Sequence, residues 1–230
     1  SGQTPGANRR KMTPIDILIT SINLGRLKTI EAGDRITKTG IFKEPATGPV
    51  EITAQGVAGD VIADKEHHGG FDQAVYLYSS GDADWWAHKL QRDVPPGFFG
   101  ENLTLSRWWP NVRIGDRLEA GPLRLEITFP RIPCSKLAAR VGDLGFVKSF
   151  AAARKPGAYA RVLTPGSIRA GQAIVITPAP DAFPTVEAMF DLWYAKPRDH
   201  ELMRQALAAP LAQRAGAAVQ RWLQEDQESQ

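Results

Sequence analysis

The stretch at residues 116–137 reads DRLEAGPLRLEITFPRIPCSKL and decides the fold of the β-rich part of the chain. Every second residue from Leu123 to Ile127 is apolar, which is the pattern of a strand with one buried face. The turn residues Gly121 and Pro122 precede that strand, so the segment 116–128 is predicted to form a β-hairpin. Two prolines at the end of the strand then predict a stiff, irregular connection that leads into a helix.

Short strand patterns separated by Gly and Pro continue on both sides of this hairpin. The predicted strands are Ile15–Ser21, Arg26–Thr29, Val50–Thr53, Ala74–Tyr78, Val112–Ile114, Arg117–Glu119, Leu123–Thr128, Tyr159–Leu163 and Ala173–Thr177. The predicted helices among them are Asp82–Gln91, Ser135–Val141 and Phe146–Ala153. Many short strands at close spacing favour a mainly β core, arranged as a barrel or a sandwich.

The pattern changes to helical near residue 180. Thr185 and Asp199 are suited to cap two helices, and Pro210 is suited to open a third, with Trp and Leu side chains in an apolar stripe. We therefore expect a polar N-terminal tail at 1–14, a β-rich domain at 15–180 and a three-helix segment at 181–225.

Composition narrows the class of protein. The chain has 230 residues, 43% of them apolar, which predicts a folded core rather than disorder. Its 28 Lys and Arg residues exceed its 25 Asp and Glu residues by 3, and they are scattered, which argues against a nucleic-acid surface. The opening residues do not resemble a secretory signal, and the longest apolar run is too short to span a bilayer. A single cysteine excludes an internal disulfide and fits a reducing compartment, so we expect a cytoplasmic protein without membrane contact.

Cys134 is the first candidate for chemistry. A lone cysteine is more often a small buried apolar residue than a reactive one. Here it directly precedes a predicted helix, and Arg131 and Lys136 lie close in sequence; each of these features favours the thiolate over the thiol. A thiolate ligates a soft metal or attacks an electrophile.

A second candidate is the segment around His67-His68-Gly69-Gly70. Paired glycines allow the backbone to approach a ligand, and their N–H groups can form an anion-binding nest. Adjacent histidines suggest zinc, but in an extended segment they point to opposite sides, and no further ligand pair lies nearby. A polar turn with satisfied histidines is the alternative. A third segment, Gly100-Glu101-Asn102, is typical of a turn that leads into a strand.

These segments, in this order, resemble the MOSC family, named for the C-terminal domain of molybdenum cofactor sulfurase. The resemblance covers about residues 15–178, and the helical tail resembles the extension of the YiiM-like bacterial branch of that family. The matching residues are Gly59-Asp60, His67-His68-Gly69-Gly70, Asp72 to Tyr76, Phe99 to Thr104, Ile114-Gly115-Asp116, Pro130-Arg131, Pro133-Cys134 and Lys136-Leu137.

The resemblance implies a barrel-like β fold and a bound molybdenum cofactor, molybdopterin, with Cys134 as the metal-binding or sulfur-carrying cysteine. Members of this branch are associated with resistance to N-hydroxylated base analogues such as hydroxylaminopurine. The chemistry of such a cofactor suggests roles for further residues. Proton relay is assigned to His68 or Asp72, and cofactor binding to Lys65, His67, Gly69, Gly70, Arg131 and Lys136. Glu101 and Asn102 are assigned either to binding the pterin edge of the cofactor or to holding the loop of the site.

Three functions remain open from the sequence. The leading hypothesis is an oxidoreductase that reduces N-hydroxy compounds to amines for detoxification, with electrons from an external flavin or iron–sulfur reductase. The second is a carrier that holds sulfur as a persulfide, or the cofactor itself, on Cys134. The third is a ligand-binding domain in which Cys134 is merely buried. The sequence leaves open whether the chain forms a homodimer.

Overall fold

The structure is a computed structural model that describes residues 17–32, 35–61 and 70–228. Its strands are β1 (Ile19–Gly25), β2 (Lys28–Ala32), β3 (Arg35–Thr39), β4 (Lys43–Pro45), β5 (Val50–Thr53), β6 (Gly56–Val57), β7 (Val75–Ser79), β8 (Leu103–Leu105), β9 (Arg117–Ala120), β10 (Leu123–Pro130), β11 (Ala158–Thr164), β12 (Gly166–Ile168) and β13 (Val175–Thr177). Its α-helices are α1 (Ser80–Leu90), α2 (Ser135–Val141), α3 (Phe146–Ala153), α4 (Val186–Tyr194), α5 (His200–Ala208) and α6 (Gln213–Glu228).

An eight-stranded sheet in the order β13-β9-β10-β11-β7-β8-β1-β4 forms the main body of the fold. Its strand pairs are antiparallel except for β7 and β8, which are parallel. The sheet curls until its two sides meet. Ile19 N–H donates to the Gln172 carbonyl at 2.9 Å, and Ile174 N–H donates to the Ile17 carbonyl at 2.8 Å. These bonds give the sheet a barrel-like shape, as the sequence predicted.

The predicted hairpin is confirmed as β9 and β10, with Leu125 opposite Leu118 in the register. The helices α2 and α3 and the strand β5 have the predicted bounds. The predicted strand at Val112–Ile114 is wrong. Ile114 N–H donates to the Pro184 carbonyl, and Arg113 forms only an isolated bridge, so this segment turns between the sheet and the C-terminal helices.

The three C-terminal helices are present. Thr185 caps α4 by accepting from Ala188 N–H at 3.0 Å, and Asp199 caps α5 by accepting from Glu201 N–H at 2.8 Å. Pro210 does not open the third helix, which begins at Gln213. The reason is that Ala212 N–H donates to the Thr128 carbonyl of β10, so the chain is still bonded to the sheet just before the helix begins. None of the described helices has the length and apolar character needed to cross a bilayer.

Two hydrophobic clusters hold these elements together. The first fills the inside of the curled sheet and extends under α4, α5 and α6. The second is an aromatic layer between β7, β11 and the helices α1, α2 and α3. We call it the aromatic cluster; its buried members are Ile41, Tyr76, Tyr78, Ala83, Trp86, Phe98, Phe99, Leu137, Ala138, Val141, Phe146, Phe150 and Tyr159.

The first cluster predicts that the helical segment stabilises the sheet. Met189 on α4 is 0% exposed and packs in that cluster, so Met189→Ala is expected to lower the free energy of unfolding by about 2–5 kcal/mol through lost burial and a cavity. Urea denaturation measures this change. Glu187→Ala on the exposed face of the same helix is the control and is expected to change it by less than about 1 kcal/mol. Equal effects would contradict the packing described.

Candidate functional site

Cys134 lies where β10 leads into α2, at the edge of the aromatic cluster. It occupies the position before the first residue of α2, with an extended backbone (φ −134°, ψ 172°), as the sequence predicted. Its carbonyl accepts Leu137 N–H at 3.0 Å, which fixes the first turn of the helix. The residue is half-buried and packs against the aromatic cluster, so its side chain is partly exposed.

Arg131 is buried beside Cys134, with 5% of its surface exposed. Its guanidinium carbon lies 4.9 Å from the centroid of the Tyr76 ring, and one Nη donates to the Phe99 carbonyl. Burial by itself lowers the pKa of Arg131, but Tyr159, Tyr76 and Cys134, which become negative when they deprotonate at high pH, raise it by more, so the side chain carries its charge at neutral pH. Among the described residues its Nε has no hydrogen-bond partner.

The two tyrosines beside Arg131 are neutral. Burial raises the pKa of Tyr76 well above its ordinary value, and burial also raises the pKa of Tyr159; the charge of Arg131 lowers both by less. The rings lie 5.0 Å apart between centroids. Because neither phenol ionises, neither supplies Arg131 with a counter-charge. Among the described residues the guanidinium is therefore held by the Tyr76 side chain and a carbonyl, which are weaker partners than a carboxylate.

Glu101 holds the turn at 97–104. Its carboxylate accepts from Gly97 N–H at 2.6 Å, Phe99 N–H at 3.2 Å and Thr104 Oγ1 at 3.1 Å. Burial raises the pKa of this carboxyl, against the hydrogen bonds from the turn, which lower it. The sequence left open a contact with a ligand, and the described hydrogen bonds of the Glu101 carboxylate all go to its own turn.

Asn102 connects this turn to a buried ion pair. Its Oδ1 accepts Tyr76 N–H at 3.1 Å, and its Nδ2 donates to Asp60 Oδ2 at 2.8 Å. Asp60 also accepts Gly25 N–H at 2.6 Å and forms an ion pair with Lys43; the two paired side chains are 3% and 7% exposed. Burial lowers the pKa of Lys43, and the charge of Asp60 raises it. This network fixes Tyr76, the ring on which Arg131 lies.

Gly70 and Asp72 lie at the entry to β7. Gly70 is exposed and has a φ of 84°, a conformation that favours glycine. The Asp72 carboxylate lies 3.2 Å from an Nη of Arg161 and accepts Gln213 N–H at 2.8 Å. Its side chain therefore joins the sheet to the start of α6, a structural connection that the sequence did not predict.

Four predicted site residues, Lys65, His67, His68 and Gly69, lie outside the described residues, and the assignments made to them stay predictions. Lys136, the other predicted cation, is half-buried in the first turn of α2. Among residues 17–32, 35–61 and 70–228, no group of three or more His, Cys, Asp or Glu side chains is placed to hold a metal ion.

Sequence reasoning missed several residues that shape the site. Lys43, Tyr159 and Arg140 were not singled out, although Arg140 lies four residues after Lys136 and therefore on the same face of α2. That spacing was a usable signal. The other two come from strands that are distant in sequence, and their approach to Cys134 or Asp60 depends on the sheet order.

A half-buried thiol beside a buried, weakly compensated guanidinium is suited to a negatively charged state of the sulfur or to an anionic ligand. This site, on a curled β sheet with a three-helix extension, defines the class of protein. The family model described as the MOSC domain matches residues 64–175. The chain belongs to the MOSC family, whose domains are associated with the molybdenum cofactor.

The chain is similar to relatives of three kinds. It is 35% identical to the uncharacterized protein YflK of Bacillus subtilis over 154 residues, which cover 66% of this chain and 70% of the relative. It is 27% identical to protein YiiM of Escherichia coli over 179 residues, 76% of this chain and 80% of the relative. It is 35% identical to a protein of Gibberella moniliformis named reductase over 175 residues, 73% of this chain but only 30% of that longer protein.

Solved structures agree with the fold. The crystal structure of YiiM from Geobacillus stearothermophilus has a TM-score of 0.75 and 30% identity, over 90% of this chain and all (100%) of that one. YiiM from Escherichia coli has a TM-score of 0.71 over 90% of this chain and 92% of that one, at 21% identity, and is similar in fold. The predicted family and the predicted fold class are confirmed.

The buried ion pair makes a testable prediction. Asp60→Asn leaves the Lys43 ammonium buried without its carboxylate, so the free energy of unfolding is expected to fall by about 3–5 kcal/mol. Because burial holds the pKa of Lys43 below its unfolded value, the unfolded chain binds more protons, and the stability of the variant rises with pH towards about 10.4, the ordinary lysine value. Urea denaturation across this pH range measures both effects.

The matched control for this prediction is the double variant Asp60→Asn with Lys43→Met. It removes the unpaired charge, so it is expected to be more stable at neutral pH than Asp60→Asn alone and to lose the rise with pH. A double variant that is as unstable as the sum of the two single variants would contradict the coupling.

Proposed function

We propose that this protein is a molybdenum-cofactor-dependent oxidoreductase that reduces N-hydroxylated bases or related N-hydroxy compounds to amines. The observation that carries the proposal is the pairing of Cys134 with Arg131, a buried cation whose Nε lacks a hydrogen-bond partner among the described residues. Membership of the MOSC family and the similarity to a protein named reductase support the same class of reaction.

The residues present fit such a cofactor. Cys134 offers a soft ligand that accommodates a metal with an open coordination position. The unsatisfied Nε of Arg131 is a buried donor, which is costly unless an acceptor reaches it. A thiolate, or an anionic ligand bound to it, would supply the negative charge that the neutral Tyr76 and Tyr159 do not.

The proposed reaction balances as R–NH–OH plus two electrons and two protons giving R–NH₂ and water. Protein side chains do not store electron pairs reversibly, so a bound molybdenum group would supply the two-electron exchange. The chain itself would hold the metal through Cys134, keep a positive charge beside it through Arg131, and close the inner side with apolar rings that exclude water.

Protons must reach the departing oxygen. Of the two residues for which the sequence suggested a relay, Asp72 is engaged by Arg161 and by the start of α6, which favours a structural role for its carboxylate. We therefore assign proton delivery in the proposed reaction to His68, because histidine is the residue type that most readily exchanges protons near neutral pH.

The electrons are proposed to come from a separate flavin or iron–sulfur protein, since a single cysteine cannot ligate an iron–sulfur cluster. The substrate is proposed to be a small N-hydroxylated molecule met in the cytoplasm, and neither a nucleic acid nor a membrane is part of the proposal. A carrier function is the second candidate, and the partial exposure of Cys134 favours it, because a persulfide has to be reachable by its acceptor.

Metal analysis tests the leading proposal. The full chain, made in a host that synthesises the cofactor, is expected to contain close to one molybdenum per chain. Cys134→Ala is expected to lose nearly all of it. The free energy of unfolding of this variant is expected to stay within about 1 kcal/mol of the wild type, because the sulfur that the substitution removes is only half-buried. The loaded protein, supplied with a chemical reductant, is expected to convert hydroxylaminopurine to the amine.

Two results would contradict this proposal. Equal molybdenum content in the wild type and in Cys134→Ala would remove Cys134 as the ligand. A loaded wild type that fails to reduce N-hydroxy compounds, yet transfers labelled sulfur or cofactor from Cys134 to an acceptor protein, would replace the enzyme with the carrier.

A further inference from the structure

Three cations and two aromatic rings form an alternating series beside α2, which we call the cation–aromatic ladder. Lys28 Nζ lies 5.0 Å from the centroid of the Phe42 ring, and the Arg140 guanidinium carbon lies 4.5 Å from the same centroid. Arg140 also lies 4.6 Å from the centroid of the Phe98 ring, and Arg92 lies 5.2 Å from it. Two guanidinium groups therefore share the Phe98 ring.

Both guanidinium groups are fixed in place by backbone carbonyls. Arg140 Nε donates to the Phe98 carbonyl at 3.2 Å, and Arg92 Nη1 donates to the Val141 carbonyl at 3.0 Å. Each bond uses one of the five N–H donors of an arginine. The side chains are thus oriented before any ligand arrives, which lowers the entropic cost of binding one.

The ladder carries more positive charge than its described surroundings balance. Within the described part of the chain, no carboxylate forms an ion pair with Lys28, Arg92 or Arg140. Burial lowers the pKa of Arg140 and so does the charge of Arg92, while Glu101 raises it. The ends of α1 and α2 add only about half a negative charge each, against three cations. An anion placed here would relieve this repulsion.

The ladder lies within reach of Cys134. Arg140 is six residues further along the same helix, which is a rise of about 9 Å, and long helical side chains lean towards the helix start, where Cys134 lies. The consecutive carbonyls of Phe98 and Phe99 accept from Arg140 and Arg131 respectively. The guanidinium beside Cys134 and the guanidinium of the ladder therefore flank the same two residues.

We propose that Arg140 and Arg92, with Lys28 at the edge, bind a phosphate monoester group on a ligand whose other end reaches Cys134. Two fixed guanidinium groups converging on one ring suit a compact anion with several oxygens, which accepts paired N–H donors. An acidic protein surface would be met better by dispersed, mobile cations. The identification of the ligand as the phosphorylated pterin of the molybdenum cofactor rests on the proposed function, whereas the phosphate site itself does not.

Titration calorimetry with glycerol 3-phosphate tests the site, with glycerol as the uncharged probe and full-length protein from a host that cannot make the cofactor. Wild type is expected to bind the phosphate and not glycerol. Arg140→Met is expected to weaken binding at least tenfold, and Arg140→Lys less, because it keeps a charge but loses the paired donors. Arg169→Met, which removes an exposed arginine after β12, is the charge-matched control and is expected to bind like wild type.

A second measurement follows the cofactor. In a cofactor-competent host, Arg140→Met is expected to retain several-fold less pterin per chain than wild type, measured by the fluorescence of the oxidised pterin after release. Melting temperatures of all variants separate this loss from unfolding, and Arg140→Lys provides a folded variant if Arg140→Met is unstable.

The outcomes separate this site from the proposed function. Absence of phosphate binding by wild type, or equal weakening by Arg140→Met and Arg169→Met, overturns the site. Binding that depends on Arg140, in a chain that never acquires molybdenum, supports the phosphate site while the proposed function fails. Molybdenum content that depends on Cys134, together with pterin retention that does not depend on Arg140, supports the proposed function. It overturns the assignment of the pterin phosphate to the ladder.

Discussion

Burying a guanidinium group inside an aromatic layer costs free energy, and the site is organised around the contacts that hold Arg131. Within the described part of the chain its partners are the Tyr76 side chain and a carbonyl, neither of which carries a full charge. The carbonyl comes from the turn that Glu101 fixes, and the ring comes from the strand residue whose N–H binds Asn102. Because both supports depend on buried polar contacts, the position of the cation beside Cys134 depends on the network below it.

That network explains why charged residues occupy the interior of this fold. Asp60 receives a backbone N–H from β1, an ammonium from β4 and an amide from the turn before β8, so one carboxylate joins three segments that are distant in sequence. Replacing such a group by an apolar one removes directional contacts as well as charge. The network thus fixes the position of the turn relative to β7, which burial of apolar area alone does not specify.

The sequence predicted those parts of the fold whose signals are local. The hairpin of β9 and β10, the strand β5 and the helices α2 and α3 were found because alternation, helical spacing and flanking Gly or Pro all lie within a few residues. Strands of two or three residues, such as β6 and β8, are too short to show a period. The prediction that Pro210 opens a helix was wrong because Ala212, two residues later, donates to the Thr128 carbonyl of the sheet. No local sequence pattern indicates this contact.

The residues of the candidate site show the same difference between local sequence signals and contacts that form only in the folded chain. Cys134 and Arg131 were found together because three positions separate them, and the family resemblance rests on that segment. The partners of Asp60 and the ladder cations come from different strands and helices, so only the folded chain brings them together. Asp72 was assigned to chemistry from its position in a motif, and its bonds to Arg161 and to Gln213 N–H became visible only once α6 was in place.

The bonds that join residues 17–19 to residues 171–174 bring the beginning and the end of the β-rich region side by side. A unit whose two ends are neighbours can be inserted into a longer polypeptide without separating its edges, because the host chain enters and leaves at one place. The Gibberella moniliformis protein is longer than this chain, and the matched region forms 30% of it. The contact between the two ends of the β-rich region is therefore compatible with its being joined to other domains without a change in the sheet.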